Sequence, residues 1–546
     1  MSSTSVYQEF CLSAQLYAER PFLHIPAIAG AANNDIDYSY ARALVAVERL
    51  LEVYRATGLG HGDRVAVLLE NRADFFFHWF ALNAMGVCVV PVNGEMQTEE
   101  ITYLLEHSDA SVVVALPNKI QDMRAAIDRM GQPILVVTND QISEIQFDAK
   151  NNNAAVSIDQ QTECALLYTS GSTGKPKGCI LNNDYFLLSG AWYRDAQGYC
   201  ELQLGQERLI TPLPMVHMNA MACSTMGMLM SGGCVIQLDR FHPRSWWKTV
   251  RESKASIIHY LGVMPAILLN MPAGDDDFSQ QVKFGFGAGV NPKHHDVFEK
   301  RFGFPLIEAW AMTETGCANC IIAWHKPRHV GSSCIGKPPK NLLCKLVDGQ
   351  SESVAVGEPG ELLVRAEGDD PRRGFFSGYY KNQDATDEAW QGGWLHTGDT
   401  VREGNDGSYH FVDRIKNVIR RSGENISALE VEASLSLIDS IAQVAVTAVP
   451  DEIRGDEVCA CLVLHQNVAL SEEQAKEIFT TAAQSLSYFK LPGYIAFVEE
   501  LPLTASNKPQ RVELKSLARE VVQDLANGKV TNAAQCYDLR SLKKKR

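Results

Sequence analysis

Short apolar runs of strand composition alternate with segments of helical period through the first four hundred residues. Arg64–Leu69 reads as a strand, Phe75–Met85 as a helix, and Val87–Pro91 as the next strand. Thr98–Leu105 follows as a helix and Ser111–Ala115 as a strand. Such alternation predicts an α/β architecture with largely parallel sheets. Between residues 356 and 410 the punctuation changes. Gly357, Gly360, Gly374, Gly378, Gly392, Gly393, Gly398, Gly404 and Gly407 crowd together with Pro359, a pattern of short antiparallel strands and turns. After Asp413 the pattern restarts, with apolar strands at Ile441–Val449 and Val458–His465 and a closing helix near Val512–Gln523. The boundary falls at about 413–417, which divides the chain into residues 1–416 and 417–546.

One stretch resembles a membrane span. No residue from Leu209 to Leu238 is charged, long enough to cross a bilayer. Pro212, Pro214, His217, Asn219, Ser231, Gly232, Gly233 and Gln237 interrupt it. The better reading is a loop, a buried helix near Ala220–Met230, a Ser231-Gly232-Gly233 turn and a buried strand near Cys234–Leu238. Its Met residues (215, 218, 221, 226, 228 and 230) fit adaptable core packing.

Composition narrows the class. The chain has 546 residues, of which 46% are hydrophobic and 21% charged, which supports more than one domain with an ample core and argues against disorder. The net charge of −15 argues against a nucleic-acid partner attracted by bulk charge, while leaving a local phosphate site open. The first residues, MSSTSVYQEF, lack a basic region followed by an apolar run, so a secretory signal is not expected. The 14 Cys are too sparse for a disulfide scaffold, and reduced thiols in the cytoplasm are expected. Cys317 and Cys320 form a CxxC, with Cys334, Cys344, His325 and His329 following. The spacing lacks the two tight pairs of a zinc site, so buried thiols are the simpler reading.

The strongest chemical signal is Tyr168-Thr169-Ser170-Gly171-Ser172-Thr173-Gly174-Lys175-Pro176-Lys177-Gly178, between the apolar runs Cys164–Leu167 and Cys179–Leu181. Gly171, Gly174 and Gly178 let backbone N–H groups approach an anion closely. The hydroxyls of Thr169, Ser170, Ser172 and Thr173 and the ammonium groups of Lys175 and Lys177 add donors suited to phosphate oxygens. It is not a Walker A loop, since Thr169 and Pro176 stand where that motif needs Gly and Ser or Thr.

This loop resembles the signature of the acyl-adenylate-forming superfamily, which contains acyl-CoA synthetases, peptide-synthetase adenylation domains and firefly-type luciferases. Further segments resemble the family's motifs, at least five motifs in all and in the expected order along the chain. Glu308-Ala309-Trp310-Ala311-Met312-Thr313-Glu314 is similar to the aromatic-Gly-x-Thr-Glu motif, with Trp310 for the usual Tyr and Ala311 for the usual Gly. The resemblance implies that Glu308, Ala309 and Ala311 belong to the nucleotide-binding segment, that Trp310 lies along adenine, that Thr313 contacts the α-phosphate and that Glu314 holds Mg²⁺. Gly287-Ala288-Gly289 matches the backbone lining adenine. Asp399, in Trp394–Asp399, matches the acceptor of the ribose hydroxyls, and Arg414 would reach ribose or phosphate. Lys416 matches the interdomain hinge. Lys508, in Leu501–Arg511, matches the catalytic Lys of adenylation, with Asn507 for the usual Gly. Gly423, in Arg420–Ile426, matches the loop that enters the site in the second half-reaction.

The implied fold is a large N-terminal domain of mixed, mostly parallel sheets flanked by helices, with a small β-barrel-like part, followed by a small mobile α+β lid. The implied activity is AMP-forming ligation: a carboxylic acid and ATP give acyl-AMP, and CoA then takes the acyl group. His217, in Pro214–His217, resembles the residue gating the acyl pocket. Tyr260–Pro265, Ala288 and Trp310–Met312 would supply other walls, none of them basic. The overall pattern looks most like the crotonobetaine/carnitine-CoA ligase branch, with a short to medium acid as substrate. ATP, Mg²⁺ and CoA are the expected cofactors and co-substrates, with no nucleic acid and no integral membrane segment; a homodimer stays open. Two alternatives remain at this point, a stand-alone adenylation enzyme feeding a carrier protein in trans and an inactive nucleotide-sensing homologue.

Overall fold

The computed structural model describes residues 3–27, 34–131, 133–146, 157–169, 175–274, 277, 281–414, 418–466, 468–502, 510–527 and 534–544. The chain divides into two compact units. One comprises residues 1–94, 102–168 and 178–413; the other comprises residues 95–101, 169–177 and 414–546.

The first unit carries three sheets. In an eight-stranded sheet the strands Leu306–Trp310, Phe284–Ala288, Ile257–Leu261, Arg208–Thr211, Cys234–Gln237 and Pro21–Ile25 run parallel in that spatial order. Antiparallel strands Ile321–Ile322 and Ile36–Ser39 close its two edges. A seven-stranded sheet contains Arg64–Leu68 flanked by Cys88–Pro91 and Val112–Ala115, all parallel, with Gly378–Tyr379 added antiparallel to Lys177–Asn182 at one edge. The interior strands read as continuous apolar runs because helices cover both faces of such sheets; Val112–Ala115, for example, is buried throughout. The helix Ala73–Asn83 is buried from Phe75 to Asn83, all round rather than along one stripe, as a helix wedged inside a large core must be.

The Gly-rich region forms a third sheet of five strands with antiparallel pairing, Cys334–Gly336, Tyr409–Arg414, Leu395–Glu403, Pro359–Ala366 and Leu342–Val347, in a half-barrel that begins earlier than the turn residues indicated. The second unit is built on a sheet in which Ile441–Asp451 and Gly455–Leu464 form a long antiparallel pair, Tyr494–Val498 runs parallel to the latter, and the helix Arg511–Ala526 packs on the sheet.

The uncharged stretch is core. After the strand Arg208–Thr211 come a π-helix, Asn219–Thr225, and an α-helix, Met226–Ser231, capped by Gly232 at φ +67°. Met221, Met226 and Met228 are fully buried. The π-helix was not legible in the apolar pattern; such segments are rare and mark functional sites often. Among the described residues no helix is long and apolar enough to cross a membrane. The 14 Cys are thiols rather than disulfides, and Cys317 and Cys320 are buried. Among the described residues no group of three or more His, Cys, Asp or Glu is arranged to hold a metal ion.

Candidate active site

Parallel strands share one direction, so their carboxyl ends meet at one edge of the sheet, where open α/β sheets bind ligands. The predicted residues of the first unit gather there. His217 lies in the loop after Arg208–Thr211, Gly287 and Ala288 end Phe284–Ala288, and Glu308, Ala309 and Trp310 end Leu306–Trp310. Thr313 and Glu314 follow in a tight turn, in which the Thr315 hydroxyl accepts from the Met312 N–H.

Two glycines there are dictated by space. A Cβ on Gly287 would run into the Tyr260 carbonyl of the neighbouring strand, and one on Gly262 into the Gly289 carbonyl. Gly289 turns the chain at φ +78°. That turn is held from below by Glu308. Its Oε1 accepts from the Tyr260 hydroxyl at 2.7 Å, and its Oε2 accepts from the Gly289 N–H at 3.0 Å and the Val290 N–H at 3.3 Å. Burial pushes the Glu308 carboxyl up, and the hydroxyl and N–H donors pull it back. The structure therefore brings Glu308 together with Gly289 and commits its carboxylate to protein donors.

Strand alternation puts Trp310 on the same face as Glu308. Its indole N–H donates to Asp399 Oδ2 at 2.8 Å, so the predicted adenine and ribose residues are in contact. Asp399 sits at an irregularity in the pairing of Pro359–Ala366 with Leu395–Glu403, where the register shifts between Glu361 and Leu363. Such bulges re-aim a side chain. Here Gly398 takes φ +66°, its N–H donates to Glu361 Oε1 at 3.0 Å, and the Thr397 hydroxyl donates to the Leu362 carbonyl at 2.7 Å. Ala311, in place of the family's Gly, is not a positive-φ residue, so its methyl costs no backbone strain there.

Glu314 is buried, and its Oε1 accepts from the Tyr379 hydroxyl at 2.7 Å. Burial raises the Tyr379 phenol, with the Glu314 charge acting in the same direction, so the hydroxyl remains a donor. The Phe376 N–H donates to the Glu314 carbonyl, and the Tyr185 hydroxyl to the Thr313 carbonyl, both at 2.9 Å. The loop leading to His217 is fixed by Asn71. Its side-chain amide donates to the Leu213 and Leu238 carbonyls at 3.1 and 2.9 Å, and its oxygen accepts from the Met215 N–H at 3.0 Å. The sequence does not reveal Tyr379, Tyr185 or Asn71, and it reads Tyr260 only as a wall of the acyl pocket, not as the partner of Glu308. Of the first three only Asn71 left a signal, as a polar residue just past the carboxyl end of Arg64–Leu68.

Thr169 ends the strand Glu163–Thr169, and Lys177 opens Lys177–Asn182 with exposed Lys175 just before it. Ser170, Gly171, Ser172, Thr173 and Gly174 lie outside the described residues, as do Lys416 and Lys508. Arg414 ends the strand Tyr409–Arg414, and its side chain lies outside the description.

In the second unit, Gly423 forms a two-residue hairpin turn with Ser422, between Val418–Arg421 and Glu424–Ser427. Both turn residues have positive φ, +50° and +92°, as the favoured hairpin turn requires. Beneath it the Arg421 Nε–H donates to both oxygens of Glu457 at 2.8 Å, and the Lys543 ammonium donates to Glu457 Oε1 and the Leu491 carbonyl at 2.6 Å. Burial, with the Arg421 charge behind it, lowers Lys543 to about 7 against the pull of Glu457.

A parallel sheet whose strand ends present a small-residue turn and two braced carboxylates defines a nucleotide-handling α/β enzyme. Residues 13–380 match the AMP-binding enzyme family, residues 430–508 match the AMP-binding enzyme C-terminal domain, and the chain belongs to this family. It is 28% identical over 512 residues to a crotonobetaine/carnitine–CoA ligase of Proteus mirabilis, covering 91% of this chain and 96% of the relative. The Citrobacter koseri protein of the same name is also 28% identical, over 92% and 97%. In fold it resembles o-succinylbenzoate CoA synthetase from Bacillus subtilis, with a TM-score of 0.79 and 23% identity over 94% of this chain and 99% of that one. A malonyl-CoA ligase bound to methylmalonyl-CoA and AMP gives a TM-score of 0.73 at 23% identity, over 89% and 97%.

Proposed function

We propose that this protein is an ATP-dependent, AMP-forming acid–thiol ligase that activates a short to medium organic carboxylic acid as acyl-AMP and transfers the acyl group to CoA. The observation that carries this reading is the pair of braced carboxylates, Asp399 and Glu314, at the carboxyl end of one parallel strand in a chain of the AMP-binding family. The names of the two relatives given above, both CoA ligases, support CoA as acceptor.

In this reading the acid's carboxylate attacks the α-phosphorus of ATP, pyrophosphate leaves, and the CoA thiol then attacks the mixed anhydride. The protein's contribution is positioning and charge stabilisation. The Gly287–Gly289 turn, kept in place by Glu308, lines the base, and Asp399 accepts from the ribose. Thr169–Lys177 grips the β- and γ-phosphates, Arg414 reaches ribose or phosphate, and Lys508 bridges the attacking carboxylate and the α-phosphate. Glu314 offers carboxylate oxygen in a rigid turn, which fits a hard cation; Mg²⁺ bound there, beside Thr313, would neutralise phosphate charge. His217 gates the acyl pocket. Lys416 is the hinge about which residues 417–546 turn so that Gly423 replaces Lys508 for the thiol step.

The test is a product assay over short, aromatic and betaine-type acids, paired with Lys508→Ala. The wild type should give AMP and pyrophosphate in equal amounts, with one acyl-CoA per AMP. Lys508→Ala should lose adenylation by about a thousandfold or more, an electrostatic contribution of that order, yet keep thioester formation from supplied acyl-AMP. Equal loss of both steps would overturn the role of Lys508; ADP as product would overturn the reading itself.

A further inference from the structure

The Trp in Glu308–Glu314 stands where the family's usual residue is Tyr, and the structure gives it work that a ring face alone does not explain. Trp310 is 5% exposed and Asp399 1% exposed, and the indole N–H points at the carboxylate rather than at open space. The backbone around Asp399 is already rigid. The Asp399 N–H donates to the Thr397 hydroxyl at 3.1 Å, that hydroxyl is tied to Leu362, and Gly398 is tied to Glu361. Those backbone ties do not by themselves set the rotation of the Asp399 carboxylate about its own side-chain bonds. A hydrogen bond from Trp310 to one of its oxygens fixes that rotation, and because the group is planar it fixes the direction of the other oxygen as well. A charge-assisted bond of this kind is among the strong ones.

We propose that Trp310 is a positioning residue for ribose recognition: its indole N–H pre-orients the Asp399 carboxylate that accepts the ribose hydroxyls. The proposal rests on the reading of Asp399 as ribose acceptor given above. It predicts that the N–H, and not merely the ring, carries discrimination between ribose and deoxyribose nucleotides.

The test is calorimetric titration of AMP, 2′-deoxy-AMP and 3′-deoxy-AMP into the full-length wild type, Trp310→Phe, Trp310→His, Asp399→Ala and the Trp310→Phe/Asp399→Ala double variant. It needs no knowledge of the acid substrate. The wild type should prefer AMP over at least one deoxy form by about tenfold or more, as loss of a hydrogen bond to a charged acceptor implies. Trp310→Phe should shrink that preference to about threefold or less, any loss of ring face being common to all three nucleotides. Trp310→His, which keeps a ring N–H, should recover part of the preference and serves in place of the Phe variant if that one fails to fold. In the Asp399→Ala background, Trp310→Phe should leave the ratio of AMP to deoxy-AMP affinity unchanged. An undiminished preference in Trp310→Phe, with AMP and both deoxy forms weakened equally, or a further loss of preference in the double variant, would reduce Trp310 to a packing or stacking residue and overturn the proposal. A wild type that binds AMP without any preference over the deoxy forms would overturn the ribose role of Asp399 and the proposal with it. A wild type that binds no AMP would overturn the proposed function.

Discussion

Two buried glutamates, Glu308 in the first unit and Glu457 in the second, each hold a glycine turn to which the proposed chemistry assigns a step, and they hold it by different means. Glu308 takes neutral donors, a Tyr hydroxyl and two backbone N–H groups, and fixes the Gly287–Gly289 turn. Glu457 takes two cations, Arg421 and Lys543, and anchors the strand that enters the Ser422–Gly423 turn. Neutral donors offset only part of a buried carboxylate's desolvation penalty, and the carboxyl of Glu308 is accordingly raised. Cations offset the penalty by charge, at the risk that removing any one member leaves a bare charge inside. The first arrangement gives a scaffold that tolerates neutralisation; the second gives one that is stable only when complete.

Breaking the second arrangement should have the largest effect. Glu457→Ala leaves the buried Arg421 guanidinium without its carboxylate and should cost the second unit about 3–5 kcal/mol. Glu308→Gln, which keeps shape and an acceptor, should cost about 2 kcal/mol or less. All eight Trp precede residue 417, so Trp fluorescence reads the first unit while far-UV ellipticity reads both. In urea the Glu457 variant should lose ellipticity before fluorescence; equal midpoints for the two lesions would erase the contrast.

The pH dependence sharpens it. Lys543 is lowered to about 7 in the folded chain, against about 10.4 for a free lysine. Across that window the unfolded chain holds more protons than the folded one, so this group makes stability rise with pH, fully expressed only above the unfolded value. Between pH 7 and pH 9 the gain should be about 2 kcal/mol in the wild type and absent in Lys543→Met, read from urea midpoints. Parallel pH slopes in the two proteins would contradict this account of the cluster.

The smallest effect separates the turns by function. Tyr260→Phe removes one donor from Glu308 and should weaken the Gly287–Gly289 turn by about 1 kcal/mol, raising KM for ATP about fivefold with KM for CoA unchanged. A rise in KM for CoA of the same size would mean that the two turns do not serve separate substrates.

The sequence carried much of the architecture because strand composition and helical period are local. Arg64–Leu69, predicted from an apolar run, is the strand Arg64–Leu68; Thr98–Leu105 begins a helix that continues to Ser108. The continuous apolar stretch after Asn219 gave helix but could not give π-helix, since hydrophobic pattern there has no period to read. In the site, motif order pointed to Trp310, Glu314 and Asp399. It could not point to Tyr379, nor show that Tyr260, read there as a pocket wall, serves Glu308; their hydroxyls reach carboxylates 65 and 48 residues away in the chain. Glu308 shows the limit most plainly. Register assigned it to nucleotide binding, whereas its carboxylate is occupied by Tyr260, Gly289 and Val290, a set that only the folded sheet brings together.

The central claim is that an acyl-adenylate forms before the thiol acts, and ATP–pyrophosphate exchange tests it most directly. With an accepted carboxylic acid, ATP and Mg²⁺, labelled pyrophosphate should enter ATP in the complete absence of CoA, and omission of the acid should abolish the exchange. Exchange that proceeds without any acid, or that requires CoA, would contradict the account.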